Sequence, residues 1–149
     1  MSEPQPFSPA AFSPTPFSLA GIHHVQLAVP AGAEEACRAF WGGLLGLAEA
    51  EKPPVLAARG GCWFRGAGLE IHLGVEEGFA PARKAHPALL VHGLDALAER
   101  LERGGVDVVW DDNLVGYRRF HTHDPFGNRL EFLGAHSESA PPDSAPSTA

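Results

Sequence analysis

Hydrophobic and polar positions follow the same programme twice along this chain. GIHHVQLAVP at Gly21–Pro30 and KAHPALLVHG at Lys84–Gly93 each carry a His followed by small and apolar residues that end at Val29 or Val91, and each runs straight into a helical pattern. With His24 aligned on His86 the register persists. Gly68-Leu69-Glu70-Ile71 answers Arg129-Leu130-Glu131-Phe132, so His24 precedes Glu70 by 46 positions and His86 precedes Glu131 by 45. Self-similarity at such a spacing is the mark of a duplicated supersecondary unit.

Within the first unit the strand from Gly21 alternates, with Val25, Leu27 and Val29 on one side and His24 and Gln26 on the other. Ala33, Ala36, Cys37, Phe40, Trp41 and Leu44 recur at helical spacing and predict a first helix, stopped by Gly42-Gly43 and Gly46. Residues 54–58, 61–65 and 68–75 then read as three short strands, separated by the Arg59-Gly60-Gly61 and Gly66-Ala67-Gly68 turns. Glu76 to Lys84 has no period and reads as a linker. The second unit repeats the plan: a strand at 86–91, a helix capped by Asp95 with Leu94, Leu97, Ala98 and Leu101 on one face, and a stop at Gly104-Gly105. A strand over Val106–Trp110 and a hairpin of Tyr117–His123 with Asn128–Leu133, turned by Asp124-Pro125-Phe126-Gly127, complete it. The order is strand, helix, three strands, twice. The expected division is an arm at 1–19, a first module at 20–75, a linker at 76–84, a second module at 85–136 and a tail at 137–149.

If the apolar face of each strand is covered by helices, the opposite face is unusually polar. His24, Gln26, Glu70, His72, His86, Glu131, Tyr117, Arg119 and His121 all fall on it by alternation. Should the sheet curl, they line a hollow. Imidazoles and a carboxylate converging there suit a divalent ion such as zinc, iron, manganese, nickel or cobalt, with positions left open for a substrate. Any one of the 8 histidines alone is more often structural than a ligand, and the weight rests on the repeat. The competing reading is a metal-free binding cup in which the same groups only hydrogen-bond to one another.

Length and composition narrow the picture. At 149 residues, 44% hydrophobic and 19% charged, the chain fits one globular domain that folds without staples. A net charge of −7 argues against nucleic acid and anionic membrane surfaces as partners, leaving a small-molecule substrate. Cys37 and Cys62 are the only cysteines, which points to a reducing, cytoplasmic setting. The Pro/Ser-rich segment MSEPQPFSPAAFSPTPFSLA lacks a basic leader region and reads as a disordered arm, and SESAPPDSAPSTA as a similar tail.

The stretches IHHVQLAV, LEIHLG, HPALLV with the LDALAERL helix, and HDPFGNRLEF resemble the vicinal oxygen chelate superfamily, the glyoxalase, bleomycin-resistance and extradiol-dioxygenase group. The resemblance spans residues 21–134, and the DPFGN turn into the glutamate-bearing strand is its most specific part. It implies an α+β fold of two βαβββ modules whose mixed sheets curl into a cup with the helices outside. It also implies a divalent metal held by His24, His86 and Glu131, and a homodimer that closes its cups within a chain or by exchange between chains. Glu70 stands where glyoxalase I-like members supply a further ligand, and His72 shares its face. Glu70, His72, Tyr117 and His121 are the candidates for catalysis. Isomerisation, ring-cleaving dioxygenation and thiol addition to an epoxide share such a site. Metal-free drug binding, as in bleomycin-resistance members, is the alternative.

Overall fold

The structure is a computed structural model, and it describes residues 16–136. The arm, up to residue 15, and the tail beyond residue 136 lie outside the described residues. Among the described residues eight strands form two four-stranded mixed sheets. The first contains β1 (Val25–Val29), β2 (Ala48–Ala50), β3 (Cys62–Gly66) and β4 (Leu69–Val75), in the order β1-β4-β3-β2. The second contains β5 (Ala88–Leu90), β6 (Val109–Asp111), β7 (Tyr117–His123) and β8 (Arg129–Ala135), in the order β5-β8-β7-β6. In each sheet the opening strand lies parallel to the last one, and the other pairs are antiparallel. This is the α+β arrangement of two βαβββ modules expected from the repeat. No helix among the described residues is long and apolar enough to cross a membrane.

Three local expectations are corrected. The stretch 54–58 is not a strand: Pro54–Ala57 is a short helix, α2. Pro53 is extended and Pro54 occupies the first turn, where its missing N–H costs nothing. The first module's second strand is instead β2, formed by Ala-Glu-Ala paired to β3. Glu49 of β2 is tied to Arg38 by two hydrogen bonds of 2.8 and 3.0 Å. The first helix is likewise divided. Glu34–Cys37 is α-helical (α1), and Arg38–Leu44 continues as a π-helix, along which the consecutive side chains Phe40 and Trp41 are both buried. Asp95 does not cap α3 (Leu94–Arg103). The helix starts from Gly93 in the left-handed region, and Asp95 in its first turn takes two hydrogen bonds from Arg118, at 2.7 and 2.8 Å.

Apolar side chains of both modules meet in one core, with Val29, Phe40, Trp41, Phe64, Ile71 and Leu73 from the first and Leu94, Leu101, Phe120, Leu130 and Phe132 from the second. Two polar links tie the modules together. Arg100 of α3 donates to the carbonyls of Leu44 and Gly43, both at 2.8 Å. Asn128, buried at the end of the DPFGN turn, donates from Nδ2 to the Ala28 carbonyl of β1 at 2.8 Å and accepts from the Ala82 N–H of the connecting segment at 3.1 Å. Asp124 closes the turn by accepting from the N–H groups of Phe126 and Asn128, and Gly127 supplies the positive φ the reversal needs.

Candidate metal centre

The second module gathers its polar face around Glu131. The parallel ladder sets Ala88 against Glu131, whose N–H donates to the Pro87 carbonyl, so His86 sits just ahead of β5 within reach of the carboxylate. The β7–β8 hairpin places His121 directly across from Glu131. His86 Nε2 lies 2.8 Å and His121 Nε2 3.5 Å from Oε2 of Glu131. One ligating atom from each of His86, His121 and Glu131 falls within 4.8 Å of the others. The second carboxylate oxygen, Oε1, accepts from Arg119 Nη1 at 2.9 Å.

The His86 ring supplies a test of fit for a metal. Its Nδ1 is 2.7 Å from the Lys84 carbonyl, which can only accept, so Nδ1 carries a proton. Its Nε2 then faces a carboxylate oxygen at 2.8 Å, a contact that is favourable only with a positive particle between the two atoms. A divalent ion suits these imidazole and carboxylate donors. A carbonyl on the far ring nitrogen is also the partner that metal-binding histidines commonly have.

Electrostatics keep the donors in the forms a metal needs. Burial pushes the Glu131 carboxyl up, but the hydrogen bonds from His86 and Arg119 outweigh it and hold the group below the usual carboxylate range. Burial and the neighbouring Arg129 charge push His121 down, so its imidazole is neutral at neutral pH.

The first module arranges its polar face differently. Arg65 stands across from Glu70 and donates to Oε2 at 3.0 Å, while His72 Nε2 lies 2.8 Å from Oε1. Those two hydrogen bonds, from His72 and Arg65, pull the Glu70 carboxyl down to about 2. The His72 ring is buried between Trp63 and His24, stacked on each at a centroid distance of 4.0 Å. His24 also meets His23 through their Nδ1 atoms at 3.0 Å.

Within one chain, then, His86, Glu131 and His121 come together, whereas His24 lies with His72 on the first module's hollow. A cavity of about 690 Å³ between the modules has His24, Glu70 and His86 on its walls, so the two regions share one space. Tyr117, 39% exposed, pairs with Ala135 at the far end of the hairpin, roughly 13 Å along the strand from His121. Sequence reasoning puts Arg119 on the right face as a residue for substrate binding or proton transfer, not as a partner of Glu131, and it passes over Asp111, Arg65 and the staple Asn128. The parity of Arg119 with His121, and the turn at 66–68 that opposes Arg65 to Glu70, are the signals that carry them.

No family model and no curated protein matches the chain. Among solved structures, a glyoxalase family protein from Bacillus anthracis superposes with a TM-score of 0.78 and 45% sequence identity, over 81% of this chain and 99% of that one. The chain belongs to the glyoxalase family, within the vicinal oxygen chelate superfamily. Two more distant neighbours share the glyoxalase fold. The fosfomycin resistance protein FosX from Listeria monocytogenes, as a mutant complexed with Mn(II) and 1S,2S-dihydroxypropylphosphonic acid, has a TM-score of 0.67 at 19% identity, over 81% of this chain and 96% of that one. TnmS3, an antibiotic-binding protein from a Streptomyces species, has a TM-score of 0.59 at 24% identity, over 79% and 99%.

Proposed function

We propose that this glyoxalase-family chain is a metal-dependent enzyme that binds a divalent ion (Zn, Fe, Mn, Ni or Co) through His24, His86 and Glu131 and acts on a small substrate offering two neighbouring oxygens. The observation carrying this reading is the His86–Glu131 pair at 2.8 Å, with a neutral imidazole at His121 beside it. A bound ion would supply Lewis-acid polarisation of a carbonyl, or open positions for ring-cleaving chemistry if it is Fe(II). Isomerase or lyase chemistry also needs a base. His121, unprotonated and next to the carboxylate, is suited to take a proton from the substrate. Glu70 is poorly suited in its present company, since a carboxyl drawn down to about 2 is a weak base at neutral pH. His72, bonded to that carboxylate, would orient the substrate, while Tyr117 lies roughly 13 Å along β7 from His121, too far to touch a small substrate on the ion.

The proposal includes a homodimer. β1 and β5 each terminate their sheet, and among the described residues their outer edges have no strand partner. Ile22 ahead of β1 and Leu90 on β5 are 85% and 77% exposed. A second copy laid along these edges would bury both side chains and bring His24 of one copy toward His86 and Glu131 of the other. The free, buried thiols of Cys37 and Cys62 fit a reducing, cytoplasmic setting.

Elemental analysis of purified protein, followed by calorimetric titration with each ion after EDTA treatment, tests the reading. A site for at least one of these ions that disappears in His86→Ala is the expected result, and a folded protein with affinity for none of them overturns it. The clustering of donor atoms favours a second ligand set, with His121 in place of His24. Loss of metal in His121→Ala but not in His24→Ala would select it. The metal-free alternative, drug sequestration, draws on the largely apolar walls of the 690 Å³ cavity, among them Leu27, Leu69 and Leu89. It predicts ligand binding that EDTA leaves unchanged.

A further inference from the structure

The arginines beside the two glutamates are out of step. In the first module Arg65 occupies the position across from Glu70, and both carboxylate oxygens are engaged, Oε2 by Arg65 and Oε1 by His72. In the second module the position across from Glu131 belongs to His121, and the arginine has moved two residues upstream to Arg119, across from Leu133. From there it holds Oε1 alone, at 2.9 Å, and leaves Oε2 facing the imidazoles.

Arg119 is itself held. Its Nη2 lies 3.3 Å from Oδ2 of Asp111 on β6, whose Oδ1 accepts the Asn113 N–H at 2.7 Å. Its Nε is buried and has no partner, so the guanidinium is anchored at its two tips, one on each carboxylate. Asp111 offsets a charge that would otherwise stand against a cation at Oε2. The whole set lies on one face of three adjacent strands.

We propose that Arg119, steadied by Asp111, is a positioning residue that reserves Oε1 of Glu131, so that the carboxylate offers a metal one oxygen and keeps a coordination position open for the substrate's second oxygen. This rests on the metal reading given above. A carboxylate free to rotate could close on an ion with both oxygens, occupying the position a chelating substrate needs.

Co(II)-loaded protein tests it, with acetohydroxamic acid as the two-oxygen probe. Wild type is expected to take up Co(II) and bind the probe. Arg119→Met is expected to hold Co(II) within roughly threefold of wild type, to bind the probe at least roughly tenfold more weakly, and to show a weaker visible Co(II) band as the coordination number rises. Arg119→Lys, which keeps a cationic donor for Oε1, is expected to recover most of the probe affinity. Asp111→Asn, on the β6 edge, should shift both readouts the same way but less, and serves if Arg119→Met does not fold. Unchanged spectrum and probe affinity in folded Arg119→Met, or in Asp111→Asn where the former is lost, overturn the positioning role while leaving the metal site standing. A wild type that takes up no Co(II) overturns the metal reading, and this inference with it.

Discussion

The two modules carry a histidine at the head of the opening strand and a glutamate on the last one, yet their carboxylates keep different company. Glu70 lies between a permanent cation and a buried imidazole, with both oxygens occupied and its proton affinity suppressed. Glu131 faces two imidazoles with one oxygen and an arginine with the other. The residue across the ladder accounts for much of the contrast, Arg65 in one hairpin and His121 in the other. A guanidinium there closes an ion pair; an imidazole leaves a donor set. Duplicated modules can thus keep one backbone while their glutamates are put to different use.

The largest effects should come from exchanging that residue. His121→Arg is expected to place the first module's ion pair on Glu131 and to abolish metal binding, exceeding the roughly 10–100-fold loss typical of altered outer partners, with the fold intact by circular dichroism. Titration of the variant with Mn(II) checks it, and retained binding would break the contrast drawn here. Glu131→Gln should lose metal to the same degree, whereas Glu70→Gln should stay within roughly threefold of wild type. Equal losses in the two glutamine variants would show that the modules are functionally alike.

Next in size is the staple that only the second module has. Ala67 stands in the first module where Asn128 stands in the second. Asn128→Ala leaves the Ala28 carbonyl and the Ala82 N–H without their partner, at an expected cost of about 2 to 3 kcal/mol in urea denaturation.

Metal uptake should also release protons, because an ion binds imidazole and carboxylate in their unprotonated forms. Calorimetry in buffers of different ionisation enthalpy measures this, and binding should weaken as the pH falls. The smallest effect concerns Glu70. Its folded-state carboxyl is depressed from the ordinary 4.5 to about 2, so its contribution to stability is complete above the ordinary value and disappears as the pH falls toward 2. The stability difference between wild type and Glu70→Gln should therefore be flat above about pH 5.5 and shrink through pH 3, as denaturation curves at several pH values would show.

Alternation along a strand makes the face of each residue readable from sequence, so the polar rows at 24, 70, 86, 121 and 131 are legible in the chain itself. It does not say which sheets meet, and the separation of His24 from His86 and Glu131 within one chain depends on that packing. Cross-strand partners demand the register, which turns set; the opposition of His121 to Glu131 depends on how Asp124–Asn128 closes. β2 escapes sequence reading because Ala-Glu-Ala has little strand preference and forms only against β3. α2 escapes it because the apolar run after Pro53-Pro54 is too short to show a period.

Among the described residues no strand pairs with the outer edges of β1 and β5, and this has one more consequence. If a second copy completes the hollow, catalytic competence becomes a property of protein concentration: turnover per chain would fall on dilution, and mixing inactive His24→Ala with inactive Glu131→Gln chains would restore part of it by pairing each copy's intact half with the other's. A strand edge completed by a neighbour would thereby make every chain dependent on its supply of like chains.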